Sequence, residues 1–283
     1  MQAMWDRDGA ERLKARIEVG NREVRVELTN PVSLAAALDF AGPQPRHFGA
    51  PAASSRPFSV PGFSGSVVTG ASCNCQVLSL IPHCNGTHTE CVGHLTREPV
   101  DAHRVTPVGL IPALLVSVEP IDAAQTPHES TQPPPQPGDR LVTRHALEQH
   151  WPQAPFESRA LVIRTLPNQP DKQRRDYSGS TPPYLSGEAA ALLVERHIEH
   201  LVVDLPSIDR THDEGRLTAH RLFFGLPPGS TTLAEAARAR STITELAYIP
   251  DSLLDGAYLL ELQVPALGGD AVPSRPLLYS LLP

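Results

Sequence analysis

The sequence lacks any run of about eighteen apolar residues, which removes a helical membrane span from consideration. Its first twenty residues are charged and hold no apolar core of the kind a secretion signal needs, so the expected location is cytoplasmic. Basic residues are outnumbered: 24 Lys and Arg against 31 Asp and Glu give a formal charge of -7. A general nucleic-acid binder needs a basic surface to displace counterions, and that class is excluded. There is no phosphate-cradling Gly-x-x-x-x-Gly-Lys loop, no Gly-x-Gly-x-x-Gly turn and no Gly-x-Ser-x-Gly elbow. Nucleotide-dependent and serine-hydrolase readings therefore have no support.

Cysteine is scarce. Cys73, Cys75, Cys84 and Cys91 fall in one short window, in a chain too large to depend on disulfides and without an export signal. Cys73-Asn74-Cys75 is tighter than the usual zinc-finger pair, so the four are expected to be buried or half-buried thiols.

What the sequence does have is proline, thirty of them, and a hydrophobic fraction of 40% that suits a globular chain. Residues 15–29 alternate apolar and polar about Gly20-Asn21, which predicts a β-hairpin. Residues 42–61 read as a long loop, with Phe40, Phe48, Phe58 and Phe63 in or beside it to line a pocket or anchor the chain. Residues 67–81 read as strand-like, and 109–118 and 160–165 as buried strands. Residues 122–139 are proline-dense and read as an exposed insertion. Helices are expected over 140–151, over 186–200 with Ser186 as its cap, and over 233–242. Strands are expected over 201–204, 243–249, 258–264 and 277–282. Alternating strands and helices place the chain in the α/β class, as one domain over 1–283 with insertions at about 122–139 and 224–242.

The chemistry gathers at His83-Cys84-Asn85-Gly86-Thr87-His88-Thr89-Glu90, with His94 and His103 close behind. On an extended segment His88 and Glu90 project from one face, giving a nitrogen and an oxygen donor that can converge on a divalent ion. Gly86 lets the backbone turn before them. His94, four residues past Glu90, can face the same cavity without being a ligand. The bland alternative is that these are ordinary surface or core histidines.

His83 to His94 resembles the signature of the metal-dependent cyclase-like family, which includes the bacterial kynurenine formamidases. Further pieces in the same order are Leu201-Val202-Val203-Asp204, Leu217-Thr218-Ala219-His220, Ile243-Thr244-Glu245 and the segment from Asp255 to Pro265. The resemblance implies a swivelling β/β/α fold, a mixed sheet forming a small barrel with flanking helices, in a homodimer or larger homo-oligomer. It implies a divalent metal, zinc before manganese, with iron also compatible. His83, His88, Glu90, His220 and Glu245 would be its ligands and His94 the general acid/base. The implied reaction is hydrolysis of a C–N bond in a small amide, formamide or cyclic amide. Lactone hydrolysis or dehydration on the same scaffold, and a non-catalytic binding role, are the alternatives.

The chain departs from the pattern. Glu90 replaces an aspartate, Val92 replaces a proline, and His83 stands five residues before His88 where the family has four. A gapless register puts Cys84 at that ligand position, and thiolate is a competent alternative. His212 competes with His220. Asp204, Ser207 and Asp209 either support the ligands or merely end a strand and cap a turn.

Overall fold

A computed structural model describes residues 12–283; the first eleven, part of the charged N-terminal stretch, lie outside the described residues. The hairpin forms as β1 (Lys14–Val19) and β2 (Arg22–Glu27), joined at Gly20-Asn21 with Gly20 at φ +60°. Nine more strands complete the main sheet: β3 (Val32–Ser33), β4 (His88–Cys91), β5 (Ile111–Val118), β6 (Ala160–Thr165), β7 (His200–Val203), β8 (Thr242–Glu245), β9 (Gly256–Gln263), β10 (Ala271–Pro273) and β11 (Arg275–Leu282). The order is β1-β2-β11-β9-β5-β6-β7-β8-β4-β10, with β3 also on β11. The four central strands β5 to β8 run parallel and their flanks are antiparallel. The path has two ends, so the described pairings make an open mixed sheet and close no barrel.

Parallel strands with both faces covered read as continuous apolar runs, and that is why β5 and β6 were visible in the sequence. Leu114, Val116, Leu161 and Ile163 point to one face, where Leu147, Leu193 and Phe223 pack on them. Ala113, Leu115, Ala160 and Val162 point to the other, against Leu34, Tyr258, Leu260 and Leu278. The helices are α1 (Ala102–Val105), α2 (Arg144–His150), α3 (Gly187–Glu195) and α4 (Thr218–Phe224). Ser186 does cap α3, its hydroxyl accepting from Ala189 N at 3.0 Å. The helix stops at Glu195 because His197 turns left-handed at φ +57°.

Four local expectations need correction. Residues 140–142 form a strand, and α2 starts only after Thr143, whose hydroxyl caps Ala146 N. Residues 233–242 form one 3-10 turn, Leu233–Glu235, rather than a helix, because Ala237 N and Arg238 N bond back to Gly225 O and Phe224 O. Residues 67–81 hold a 3-10 turn and a short strand, Gln76–Ser79, paired with Ser54–Pro57 out of the expected loop. Segment 122–139 is mostly exposed or half-exposed and is anchored by Asp139, buried against Tyr184 and Arg210, and by Glu129, which accepts from Arg144 N. Cys73 and Cys75 are exposed, whereas Cys84 is half-buried and Cys91 buried. Among the described residues no helix is long and apolar enough to cross a membrane.

Candidate metal centre

Strand β4 carries the site and is held on both sides. Against β8 it pairs Glu245 with His88 and Ile243 with Glu90; against β10 it pairs Pro273 with His88 and Ala271 with Glu90. The approach to β4 follows from Gly86-Thr87. Gly86 has φ +74°, and a Cβ there would sit 3.0 Å from the Leu38 side chain. Thr87 donates its hydroxyl to Leu246 O at 2.6 Å and accepts from Ala36 N at 2.9 Å, tying β4, the end of β8 and the N-terminal loop together. Leu246 itself is left-handed, φ +53°, immediately after Glu245. A left-handed leucine is costly, and such strain concentrates at functional sites.

The residues named from the sequence converge. Glu90 lies at the centre, buried, with His83 Nδ1 at 2.9 Å from its Oε2 and His220 Nε2 at 2.8 Å from its Oε1. Glu245 reaches His88 Nε2 at 3.5 Å and His220 Nε2 at 3.6 Å, while its Oε1 also accepts from Ile208 N at 2.7 Å. Ligand-capable atoms of His83, Glu90 and His94 fall within 4.8 Å of one another, and so do those of His88, Glu90 and Glu245. The thiol of Cys84 belongs to neither set; its backbone carbonyl accepts from His47 N. His212 also lies outside both sets, and His103 is occupied by Leu267 O.

Support for the rings differs from one to the next. Asp209 accepts from His220 Nδ1 at 2.6 Å and from the backbone N–H groups of Ala219 and His220, so it caps α4 and sets the ring at once. Asp204, by contrast, accepts from Thr165 N, Thr165 Oγ1 and Lys172 Nζ and touches no site residue. Ser207 Oγ accepts from Asp209 N. Of the three polar residues in that stretch, only Asp209 bonds a site ring directly.

Sequence reasoning missed Asp270. Its Oδ2 lies 2.7 Å from His83 Nε2 and 3.4 Å from His94 Nδ1. Nothing local marks it: it follows Gly268-Gly269 in a loop, and β10 after it is only three residues long.

Electrostatics follow from this crowding. Burial alone would strip the proton from His83, but Asp270 and Glu90 outweigh it and raise its pKa to about 10. His220 is raised in the same way, burial being overcome by Glu90 and Asp209. Burial would raise the Glu90 carboxyl, yet His220, His94 and His83 hold it well below the usual range. Protons and a divalent ion would compete for these same lone pairs. Two buried atoms at the heart of the cluster, His88 Nε2 and Glu90 Oε1, have no well-directed hydrogen-bond partner. A buried polar atom left unpaired costs about 1–3 kcal/mol, and a cation would satisfy His88 Nε2 while drawing on a Glu90 oxygen that now meets only the His220 ring. The imidazole and carboxylate set thus fits a divalent metal ion.

The cyclase family model matches residues 26–210. The chain belongs to the cyclase family. That match takes in His83, His88, Glu90, His94 and Asp209 and stops before His220, Glu245 and Asp270. Among solved structures, a potential metal-dependent hydrolase with cyclase activity is similar at 16% identity and TM-score 0.57, over 90% of this chain and 99% of that one. A predicted metal-dependent hydrolase from Bacillus stearothermophilus aligns at 14% identity and TM-score 0.54, over 88% of this chain and 98% of that one. An isatin hydrolase bound to the product analogue thioisatinate aligns at 16% identity and TM-score 0.54, over 88% and 92%. At these identities the likeness establishes the fold. No curated protein sequence matches the chain.

Proposed function

We propose that this cyclase-family chain is a metal-dependent hydrolase of a small amide, formamide or cyclic amide, with His83, His88, Glu90, His220 and Glu245 as ligands. The observation that carries the reading is the buried His88 Nε2, which has no hydrogen-bond partner, beside Glu90 Oε1, which meets only His220 Nε2 at 2.8 Å, with four more ligand-type side chains around them. A divalent ion bound there, zinc before manganese, would activate water near neutral pH and polarise a carbonyl. The protein's own part is orientation and proton transfer. Asp209 holds His220 Nδ1, which leaves Nε2 turned toward Glu90. His94 stands at the open rim, 29% exposed, with Nδ1 toward Asp270. Its Nε2 is the nitrogen we assign as general base and then as donor to the leaving nitrogen. An isatin hydrolase among the similar structures supports a cyclic amide as the first substrate to try.

The test is metal analysis together with turnover of a formanilide, a cyclic amide such as isatin, and a lactone. His88→Ala should lose the metal. His94→Gln should keep the metal and lose kcat by about 10²–10⁴-fold. A protein that binds no stoichiometric metal, or a His94→Gln variant with undiminished kcat, would overturn the assignment; turnover of the lactone alone would move it to C–O chemistry.

We also assign a homodimer or larger homo-oligomer. The segment 48–81 exposes Val60 and Leu78 on two short two-stranded ribbons, a form that needs cover to be stable, and Phe48, Phe58, Val68 and Ile81 beside them. Light scattering at micromolar concentration decides it, and a monomer mass would count against it.

A further inference from the structure

Two histidines of the cluster are built alike. His220 has one nitrogen on an outer carboxylate, Asp209 at 2.6 Å, and the other facing Glu90 at 2.8 Å. His83 has Nε2 on Asp270 at 2.7 Å and Nδ1 facing Glu90 at 2.9 Å. The two carboxylate–imidazole pairs approach Glu90 from opposite segments of the chain. In metal sites an outer carboxylate on the far ring nitrogen fixes the tautomer and orientation of a ligating histidine.

Asp270 is held where it is by its backbone, at the rung that continues the pairing of β10 with β4. Its carbonyl accepts from Cys91 N at 3.0 Å, the last residue of β4. The preceding Gly269 N donates to Asp101 Oδ1 at 3.0 Å. Opposite it, a Cβ on Gly93 would lie 3.1 Å from Asp270 Cβ and 2.6 Å from Val100 O, so only glycine at 93 permits this approach. The same carboxylate oxygen also stands 3.4 Å from His94 Nδ1.

We propose that Asp270 is a positioning residue of the metal centre: it locks His83 with Nδ1 toward the ion and steadies the His94 ring beside it. The inference rests on the metal-centre reading above. It also accounts for the displaced histidine. His83 stands one residue earlier than the family spacing, and a ring entering from a shifted position needs a fixed partner on its outer edge to reach Glu90.

Cobalt(II) alone is the probe, because its visible spectrum reports ligand geometry without turnover. Against wild type, Asp270→Ala should weaken cobalt binding about 10–100-fold, measured by chelator competition, and shift the visible bands of the loaded protein. Asp270→Asn, nearly isosteric and able to accept from the ring N–H, should fall between the two, and Asp270→Glu should restore part of the affinity. A merely structural role would lower thermal stability but leave the spectrum of the loaded protein unchanged, and that result would overturn the proposal. So would wild-type affinity in both Asp270→Ala and Asp270→Asn. Failure of wild type to bind cobalt would instead bring down the metal-centre reading, and this inference with it.

Discussion

Two buried charged clusters, one around Asp204 and one around Glu90, are finished very differently. Around Asp204 every buried group has a protein partner: Thr165 N, Thr165 Oγ1 and Lys172 Nζ bond the carboxylate, and Lys172 also donates to Thr165 O at 2.6 Å. Around Glu90 three imidazoles and a second carboxylate crowd together while the buried His88 Nε2 stays without a hydrogen-bond partner. Burial and charge are alike in the two places; satisfaction is not. A closed network belongs to stability, and an open one has room for an ion.

The strongest way to break this comparison is to open the closed cluster. Lys172→Met leaves the Asp204 carboxylate buried without its cation and should cost about 3–5 kcal/mol of stability by denaturant unfolding, with metal content unchanged. Loss of metal with intact stability would reverse the assignment of the two clusters.

A smaller effect contrasts two buried histidines. His220 sits between carboxylates and is raised, whereas His200 bonds the Thr242 hydroxyl at 2.9 Å with the Glu199 carboxylate no nearer than 3.9 Å, and burial outweighs that charge and lowers its pKa from 6.5 to about 4. In the pH range 4–6.5 the unfolded chain therefore binds a proton at His200 that the native chain refuses. Its contribution is fully present above pH 6.5 and is lost as the pH falls through about 4, a swing of about 3 kcal/mol. His200→Gln should flatten that part of the stability curve relative to wild type; an unchanged slope would show that His200 is protonated in the fold.

The smallest expected change sharpens the comparison from the metal side. Asp209→Asn keeps an acceptor beside His220 but removes the charge, and should weaken metal binding by about tenfold, read by chelator competition. Equal affinity would put Asp209 with Asp204 among the purely structural acids.

How much of this was legible in the sequence depends on distance along the chain. The hairpin at Gly20-Asn21, strands β5 and β6 and the cap at Ser186 were readable because their signals are local. So was the shared orientation of His88 and Glu90 on β4, since alternation alone puts them on one face. The 233–242 helix was misread because alanine and arginine favour helix, while the backbone donors of Ala237 and Arg238 are claimed by the turn after α4. The exposure of Cys73 and Cys75 depends on a ribbon whose pairing joins residues some twenty positions apart. Asp270 was invisible for the same reason: its partners lie almost two hundred residues upstream, and no spacing rule connects them.

Strand β4 offers alternate faces with different chemistry. His88 and Glu90 turn to the cluster, whereas Thr89 meets the Thr244 hydroxyl at 2.7 Å and Cys91 reaches Val100 O at 3.3 Å. Sliding this four-residue strand by one position between β8 and β10 would exchange an imidazole and a carboxylate for a hydroxyl and a thiol. Alignment of the ladder and selection of the donor atoms are therefore one event in folding, and a chain that zips up one rung out of place arrives with the wrong coordination chemistry.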